Sequence, residues 1–361
     1  MPVRIGINGL GRIGRAILRI TLANPNCEVV AINDINPDIN NMAYLIKYDS
    51  TYGRLAENVE VENGNICINK NLKIKTFHQP HIEDVPWSSK QVDIVIDASG
   101  VKRNLQFAKK IKDQGVKFCV VTNSPDAVDK TIIIGVNESS IDPENDFIIS
   151  SSICDANAFV PAANILEKFF GIDHGFLTTL HPWLSYQNLL DGPSISYATP
   201  GEIHDHYALG RASVGNLIPK TTSAISASCK VLKSIEGKFL SLSYRIPTAV
   251  VSTADISVKL KKKTSAAEIK EIFKQEEGKQ NFKIFCNSEE ALISADFAQN
   301  DYSCILDHRW IMVNDQNYAK LILWYDNEWG YSSRVVDLVC YLQHVLSQKS
   351  YSQEKEVVQV S

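Results

Sequence analysis

The sequence predicts an α/β domain built on a parallel sheet, followed by an α+β domain built on an antiparallel sheet. In roughly the first 150 residues, short runs of β-branched residues alternate with helical stretches, as in a parallel sheet with helical crossovers. After about residue 175 the strands lengthen and alternate apolar with polar residues, which indicates an antiparallel sheet with one covered face. A chain of 361 residues is long enough for two such domains.

Five short apolar runs, rich in valine and isoleucine, mark the strands of the first domain. These runs cover residues 3–7, 29–32, 94–96, 119–121 and 132–136. Because turn and loop residues bound each run, we expect five buried strands in one parallel sheet.

The second domain is predicted from strands at 241–246 and 250–260 and from a helix that begins near residue 265. Ser265 and Glu268 have the spacing of a capping box at the start of that helix. Residues 329–347 follow as an amphipathic helix. We therefore place the domains at 1–153 and 154–329, the C-terminal helix at 330–347, and a disordered polar tail at 348–361.

Charge and composition exclude several classes of partner. The net charge is -4 and the basic residues are spread along the chain, so no broad positive field is available for nucleic acid or for an anionic membrane. No apolar run is long enough to span a bilayer, and the first residues lack a secretory signal, so we expect a cytoplasmic protein. The eight cysteines form no C-x-x-C pair, which predicts reduced thiols and no metal site.

A glycine-rich turn joins the first strand to the first helix. Residues Asn8 to Gly14 read Asn-Gly-Leu-Gly-Arg-Ile-Gly, so Gly9, Gly11 and Gly14 have the spacing G-x-G-x-x-G. Such a turn lets backbone N–H groups approach a pyrophosphate at the helix N-terminus. Asp34 stands twenty residues beyond Gly14, after the next strand, where a carboxylate accepts the ribose hydroxyls of NAD and repels the extra phosphate of NADP. The turn therefore predicts an NAD-binding Rossmann domain, against the alternative of glycines that serve only packing.

Cys154 lies between an apolar strand and a helical run that begins near Ala158. A cysteine at a helix N-terminus is favoured as thiolate by the helix dipole, and such a thiolate attacks carbonyl groups. His181 ends a strand-like segment and is the candidate base. Taken alone, one cysteine among eight is more often a buried small hydrophobe, and a lone histidine is more often a structural residue.

The chain resembles the glyceraldehyde-3-phosphate dehydrogenase family from Val3 to about Leu346. The stretches that carry this resemblance are residues 5–15, 47–54, 177–181, 191–194, 216–219, 245–248 and 324–331. The resemblance implies a Rossmann domain, a catalytic domain that starts at the cysteine, a C-terminal helix that returns to the first domain, and a homotetramer. It also implies cofactor contacts from Arg12, Ile13, Asp34, Thr122 and Asn327, with Thr122 in place of the family's usual serine.

The reaction that the resemblance implies starts with transfer of the Cys154 proton to His181. The thiolate then adds to an aldehyde, the thiohemiacetal transfers hydride to NAD, and inorganic phosphate attacks the resulting thioester. The resemblance therefore implies that this chain oxidises glyceraldehyde 3-phosphate to 1,3-bisphosphoglycerate.

Several residues around the expected substrate site depart from the family pattern. Asp155 and Ala156 replace the two threonines that usually follow the nucleophile, and Leu184 and Tyr186 replace two threonines that bind substrate phosphate. Asp155 also places a negative charge beside the thiol, where it opposes the thiolate and repels phosphate.

Three candidate substrate-binding residues remain: Thr222, Arg245 and Arg211. Arg245 offers a bidentate fork for phosphate. These departures leave two alternatives open beside the glycolytic reaction. One is a paralogue that acts on another aldehyde, such as erythrose 4-phosphate or an unphosphorylated aldehyde. The other is an NAD-binding interaction protein with little catalysis, against which the joint presence of Cys154 and His181 argues.

Overall fold

The chain divides into two compact units in a computed structural model that describes residues 2–196 and 198–360, with side chains described up to 348. Unit 1 comprises residues 1–131, 138–151 and 334–361, and unit 2 comprises residues 132–137 and 152–333. Among the described residues, no helix is both long and apolar enough to cross a membrane.

Unit 1 is built on nine strands and three helices ahead of the C-terminal helix. The strands are β1 (Val3–Asn8), β2 (Cys27–Asn33), β3 (Val59–Glu62), β4 (Asn65–Ile68), β5 (Leu72–Phe77), β6 (Ile94–Asp97), β7 (Phe118–Val121), β8 (Lys130–Thr131) and β9 (Ile148–Ser150). The helices are α1 (Arg12–Leu22), α2 (Ile39–Lys47) and α3 (Lys102–Phe107).

The sheet of unit 1 has the strand order β3-β4-β5-β2-β1-β6-β7-β9-β8. The strands from β5 to β8 pair in parallel, and only the edge formed by β3, β4 and β5 is antiparallel. Side chains of β1, β2, β6 and β7 are almost all buried, as expected of a parallel sheet covered on both faces. The predicted parallel sheet is therefore present, with the antiparallel edge as an addition.

The prediction of a strand at 132–136 is wrong. Strand β8 ends at Thr131, and the chain turns at Gly135, which has a φ of +84°. A side chain at Gly135 would lie 2.5 Å from Cγ1 of Ile284, and Ile132 to Ile134 are buried. The run is apolar because it packs into the core of unit 2, and it forms no ladder there.

In the described part of unit 2 the chain forms eight strands and three α-helices. The strands are β10 (Ile172–Pro182), β11 (Ile218–Lys220), β12 (Phe239–Ile246), β13 (Ser252–Leu260), β14 (Phe285–Ser288), β15 (Cys304–Asp307), β16 (Met312–Asn314) and β17 (Tyr318–Tyr325). The helices are α4 (Cys154–Phe170), α5 (Ala224–Cys229) and α6 (Ala266–Glu277).

The sheet of unit 2 runs in the order β11-β12-β10-β13-β17-β15-β14, and β16 pairs with β17. Most neighbours are antiparallel, but β10 pairs with β12, and β14 with β15, in parallel. One face of this sheet packs against α4, where the rings of Phe159 and Phe239 meet edge to face at 5.1 Å. The predicted antiparallel sheet is thus a mixed sheet with one covered face.

The C-terminal helix α7 is assigned over Trp329–Val360, beyond the predicted end at residue 347. Its apolar residues Val335, Leu338, Val339 and Leu342 are buried. The disorder predicted for 348–361 concerns a segment whose side chains lie almost wholly outside those described, and it stays a prediction.

Candidate active site

Cys154 is the first residue of α4, so its thiol stands at the helix N-terminus. The preceding Ser152 has a φ of +61°, and the N-cap residue Ile153 is extended and offers no side chain that caps the helix. The N–H groups of the first turn therefore point toward the region of the thiol. This is the position that the sequence analysis expects of an attacking cysteine.

His181 comes from β10, 27 residues further along the chain, and its Nε2 lies 3.6 Å from Sγ of Cys154. The Nδ1 atom lies 2.8 Å from the carbonyl oxygen of Pro182. Because a carbonyl oxygen can only accept, Nδ1 carries the proton and Nε2 presents its lone pair to the thiol. The pair thus has the orientation of a nucleophile and its base.

Asp155 turns inward beside the thiol, and its side chain does not cap the helix. One carboxylate oxygen, Oδ1, lies 3.6 Å from Sγ of Cys154 and accepts a hydrogen bond of 2.7 Å from the hydroxyl of Tyr325. The other oxygen lies 3.4 Å from Oγ1 of Thr222. Both Asp155 and Tyr325 are buried, and burial together with the Asp155 charge raises the pKa of Tyr325. The tyrosine therefore remains a hydrogen-bond donor that holds the carboxylate in place.

The expected lowering of the thiol pKa by the helix dipole is not what the structure shows. Burial, and after it the negative charge of Asp155, raises the pKa of Cys154 well above its ordinary value. Burial and the positive charge of Arg245 lower the pKa of His181 to about 4. Both groups are therefore neutral at pH 7, and the thiol depends on His181 to take its proton as it attacks.

Two basic side chains share the covered face of the sheet with His181. Arg245 on β12 is paired in register with His181 on β10, and Lys220 on β11 is paired with Ser243 on β12. Residues two apart in a strand point to the same side, so Lys220, Arg245 and His181 lie on one face. Burial and the nearby Arg245 charge lower the pKa of Lys220, which places the two cations close together.

Arg245 is only 7% exposed, and its guanidinium reaches Tyr186 Oη at 3.5 Å. Its Nε atom is buried and makes no hydrogen bond within the described part of the chain. A buried guanidinium with an unused donor is suited to an anionic ligand such as phosphate.

The structure separates one predicted substrate residue from this cluster. Arg211 is exposed and pairs with Asp191 at 2.9 Å, and within the described residues it does not contact Cys154, Asp155 or His181. In its place stands Lys220, which the sequence analysis missed. One signal in the sequence could have indicated Lys220. It is a basic residue directly after Pro219 and two residues before the predicted substrate residue Thr222.

The glycine-rich turn of unit 1 has the backbone geometry that its sequence predicts. Gly9 has a φ of +93°, and a side chain there would meet the backbone of Ser99 at 2.6 Å. A side chain at Gly14 would lie 2.1 Å from the carbonyl oxygen of Gly9. Gly11 is the N-cap of α1, so the turn leads directly into a helix N-terminus that is open to a pyrophosphate.

The other predicted cofactor residues of unit 1 lie at the carboxyl ends of parallel strands. Asp34 follows β2, and its Oδ2 accepts a hydrogen bond of 2.6 Å from the N–H of Leu10 in the glycine-rich turn. Asn8 ends β1 and is buried, with its amide bonded to Asp97. Thr122 follows β7, and its hydroxyl bonds the carbonyl of Asp97. These ends meet at one edge of the sheet, where open α/β sheets bind their ligands.

The remaining predicted cofactor residues, Arg12, Ile13 and Asn327, do not lie at the carboxyl ends of the parallel strands. Arg12 pairs with Asp49 at 2.5 Å, and Ile13 follows it in the first turn of α1, which places both residues at the helix N-terminus. In unit 2, the buried Asn327 has an Oδ1 atom without a hydrogen bond in the described residues. An unused amide oxygen fits the carboxamide of a nicotinamide.

Comparison with known proteins covers both units. Residues 3–105 match the family model described as "Glyceraldehyde 3-phosphate dehydrogenase, NAD binding domain", and residues 153–327 match its C-terminal domain. Glyceraldehyde-3-phosphate dehydrogenase 3 of Saccharomyces cerevisiae is 40% identical over 340 residues, which cover 93% of this chain and 98% of the relative. The enzyme of Eremothecium gossypii is 40% identical over 338 residues, with the same coverage. The chain therefore belongs to the glyceraldehyde-3-phosphate dehydrogenase family.

Proposed function

We propose that this chain oxidises glyceraldehyde 3-phosphate with NAD and inorganic phosphate to 1,3-bisphosphoglycerate, with Cys154 as nucleophile and His181 as base. The observation that carries the proposal is the 3.6 Å approach of His181 Nε2 to Cys154 Sγ, in a tautomer fixed by the Pro182 carbonyl. An interaction protein without catalysis needs neither the pair nor its alignment.

The residues of unit 2 account for the proton and sulfur chemistry. Neutral His181 accepts the thiol proton as Sγ bonds to the aldehyde carbon and returns it to the resulting alkoxide, so that the product is a thiohemiacetal on Cys154 and His181 is neutral again. When NAD is bound, its nicotinamide supplies the hydride acceptor. His181 can then take the hydroxyl proton of the thiohemiacetal, which favours loss of hydride and leaves a thioester on Cys154.

Phosphate recognition is assigned to the two cations on the covered face of the sheet. Arg245 offers its unused Nε–H, and Lys220 adds a second positive charge. Asp155 opposes both thiolate and phosphate, and the charge of Lys220 offsets it. We infer that Lys220 takes over part of the anion binding that the family's usual threonines at positions 155, 184 and 186 would otherwise provide.

An aldehyde panel tests this proposal. The purified chain is assayed for NADH formation with glyceraldehyde 3-phosphate, erythrose 4-phosphate and unphosphorylated glyceraldehyde, each with and without phosphate or arsenate. We expect the highest kcat/KM with glyceraldehyde 3-phosphate and a rate that depends on phosphate or arsenate. A preference for another aldehyde would assign the chain to a paralogous reaction, and no turnover with any aldehyde would contradict the proposal.

We also propose that the protein acts in the cytoplasm as a homotetramer. The family resemblance supports this assembly. All eight cysteines are free thiols, which suits a reducing compartment.

A further inference from the structure

Asp155 gives the Cys154 and His181 pair a third atom of the kind that binds metals. Sγ of Cys154 lies 3.6 Å from Nε2 of His181 and 3.6 Å from Oδ1 of Asp155, and the possible ligand atoms all lie within 4.8 Å of one another. In a tetrahedral zinc site, bond lengths of about 2.3 Å to sulfur and about 2.1 Å to nitrogen or oxygen place the sulfur about 3.6 Å from its neighbours. The two distances from sulfur therefore already match this spacing, and the imidazole nitrogen and the carboxylate oxygen, within 4.8 Å of each other, need only a small side-chain movement to complete it.

Neighbouring groups hold the imidazole and the carboxylate in orientations that suit a metal ion. The Nδ1–H of His181 is bonded to the Pro182 carbonyl, so Nε2 has a free lone pair. The Tyr325 hydroxyl fixes Asp155 at 2.7 Å. A bond to the second nitrogen of a histidine and a hydrogen bond to a carboxylate orient the ligands of zinc sites, and Oδ1 of Asp155 keeps a second lone pair beside its bond to Tyr325.

We propose that Cys154, Asp155 and His181 bind Zn²⁺ through one sulfur, one carboxylate oxygen and one imidazole nitrogen, with water as the fourth ligand. Binding forms a zinc–sulfur bond and releases the thiol proton to solvent, and no electron is transferred. The sulfur held by zinc cannot attack an aldehyde, so Zn²⁺ acts as a reversible inhibitor. This inhibition rests on the proposed function, whereas the binding itself does not.

Nearby charges set the expected strength of the site. The thiolate and the carboxylate neutralise the two charges of the ion, but Arg245 and Lys220 stand on the same side of the sheet and oppose an incoming cation. Removal of one of these cations should therefore strengthen binding. We expect Lys220→Met to bind Zn²⁺ more tightly than the wild type. If Zn²⁺ instead bound to surface carboxylates elsewhere, the Lys220→Met change would not alter the affinity.

Cobalt serves as a visible probe of the site. The full-length chain is titrated with Co²⁺, and the sulfur-to-cobalt absorption band is followed, after which Zn²⁺ displaces the cobalt and gives the zinc affinity. The wild type should bind one Co²⁺ with this band. Cys154→Ser should lose the band, whereas Cys286→Ser, a change at another partly buried cysteine, should keep it.

The carboxylate is tested by Asp155→Thr, with Asp255→Thr as the matched control. Asp255 belongs to the same unit and pairs with Lys320, so its loss leaves the three ligands intact. We expect Asp155→Thr to weaken Zn²⁺ binding at least tenfold and Asp255→Thr to leave it unchanged. Asp155→Asn keeps an acceptor for Tyr325 and should also weaken binding, which covers the case in which the threonine variant fails to fold.

Two results would overturn the proposal: zinc affinity unchanged in both Asp155 variants, or saturation with Co²⁺ without a sulfur band. An active enzyme that is not inhibited at saturating Zn²⁺ would overturn the blocking of the thiol. A chain that binds Zn²⁺ as described but oxidises no aldehyde would leave the metal site standing and would contradict only the proposed function.

Discussion

Cys154 is the proposed nucleophile and His181 the proposed base, and Cys154→Ser tests this assignment. We expect the variant to lose more than 99% of aldehyde oxidation, because a serine hydroxyl is far less nucleophilic than a thiol, and catalytic groups of this kind contribute on the order of a hundredfold or more. NAD binding, measured by calorimetry, should stay within about twofold of the wild type. Retained turnover would move the nucleophile to another residue, and Cys286→Ser provides the control for loss of a thiol elsewhere in unit 2.

Lys220 is the residue whose charge should determine the response to phosphate. Replacement by methionine keeps most of the side-chain volume and removes one charge-assisted contact, which corresponds to about 1.5–3 kcal/mol. We expect KM for glyceraldehyde 3-phosphate, or for inorganic phosphate, to rise about tenfold or more.

With unphosphorylated glyceraldehyde and arsenate held at saturation, the same change should have little effect on KM for the aldehyde. Lys220→Arg keeps the charge and serves as the control, and it should behave much like the wild type. A change in KM that is equal for phosphorylated and unphosphorylated aldehydes would show that Lys220 acts through the fold.

The local sequence was enough to predict positions that depend on neighbouring residues in the chain. Gly9 and Gly14 follow from a turn between a strand and a helix, and Cys154 follows from its place at a helix start. Tyr325 could not be found in this way, because it meets Asp155 across 170 residues of sequence. The raised pKa of Cys154 has the same origin, since burial of the thiol is a property of the folded unit.

At the scale of elements, the start of helix α6 contains one of the two hydrogen bonds that the capping-box motif predicts. Ser265 is the N-cap, and its Oγ accepts from the N–H of Glu268 at 3.2 Å. The reciprocal bond of a capping box is replaced, since the Glu268 carboxylate accepts instead from Thr264 Oγ1 at 2.8 Å. The start of the helix was therefore predicted correctly, and the second bond was not.

The serine cap of α6 gives a prediction for stability. Ser265→Ala should lower the free energy of unfolding of unit 2 by about 1 kcal/mol, because the Glu268 N–H loses its acceptor. Hydrogen exchange of the first-turn amides of α6 should become faster, and the urea midpoint should fall. Ser226→Ala, at an exposed serine of α5 that caps nothing in α6, is the control. Equal effects of the two changes would contradict a specific role of the cap.

The wrongly predicted strand at 132–136 shows a limit of element prediction. A short apolar run is compatible with a buried strand or with a buried loop, and periodicity does not separate the two. What decides here is Gly135, whose positive φ ends the extended conformation, and Ile284, which occupies the space beside it. Neither the φ of Gly135 nor its contact with Ile284 can be read from the sequence alone.

At the scale of the whole molecule, unit 2 exposes apolar side chains that a single copy of the chain leaves uncovered. Phe176 on β10 is paired in register with Leu240 on β12, and Leu242 follows on the same side. These side chains are 57%, 69% and 41% exposed, on the face of the sheet opposite to His181. A second set of exposed apolar residues lies along the segment between β10 and β11. Its members are Leu189, Leu190, Ile195, Ile203, Tyr207, Val214 and Leu217.

Two separate apolar patches favour the proposed tetramer over a dimer. A closed tetramer of identical chains with dihedral symmetry needs at least two different self-complementary contacts, and a dimer needs one. Exposed patches of this kind mark surfaces that bind another protein, and for both patches we expect the partner to be another copy of this chain.

Leu240→Asp tests this assembly by placing a charge in the middle of the sheet patch, which consists of Phe176, Leu240 and Leu242. If two copies pack through this face, each dimer contact would bury two carboxylates against apolar side chains, which is strongly unfavourable. We expect light scattering to give the mass of a tetramer for the wild type and of a dimer for the variant, because the second patch remains intact. Ile293→Asp introduces the same charge at an exposed isoleucine outside both patches and should leave the tetramer unchanged. A wild-type monomer would contradict the tetramer itself, while a tetrameric Leu240→Asp variant would show that the sheet face is not part of the contact.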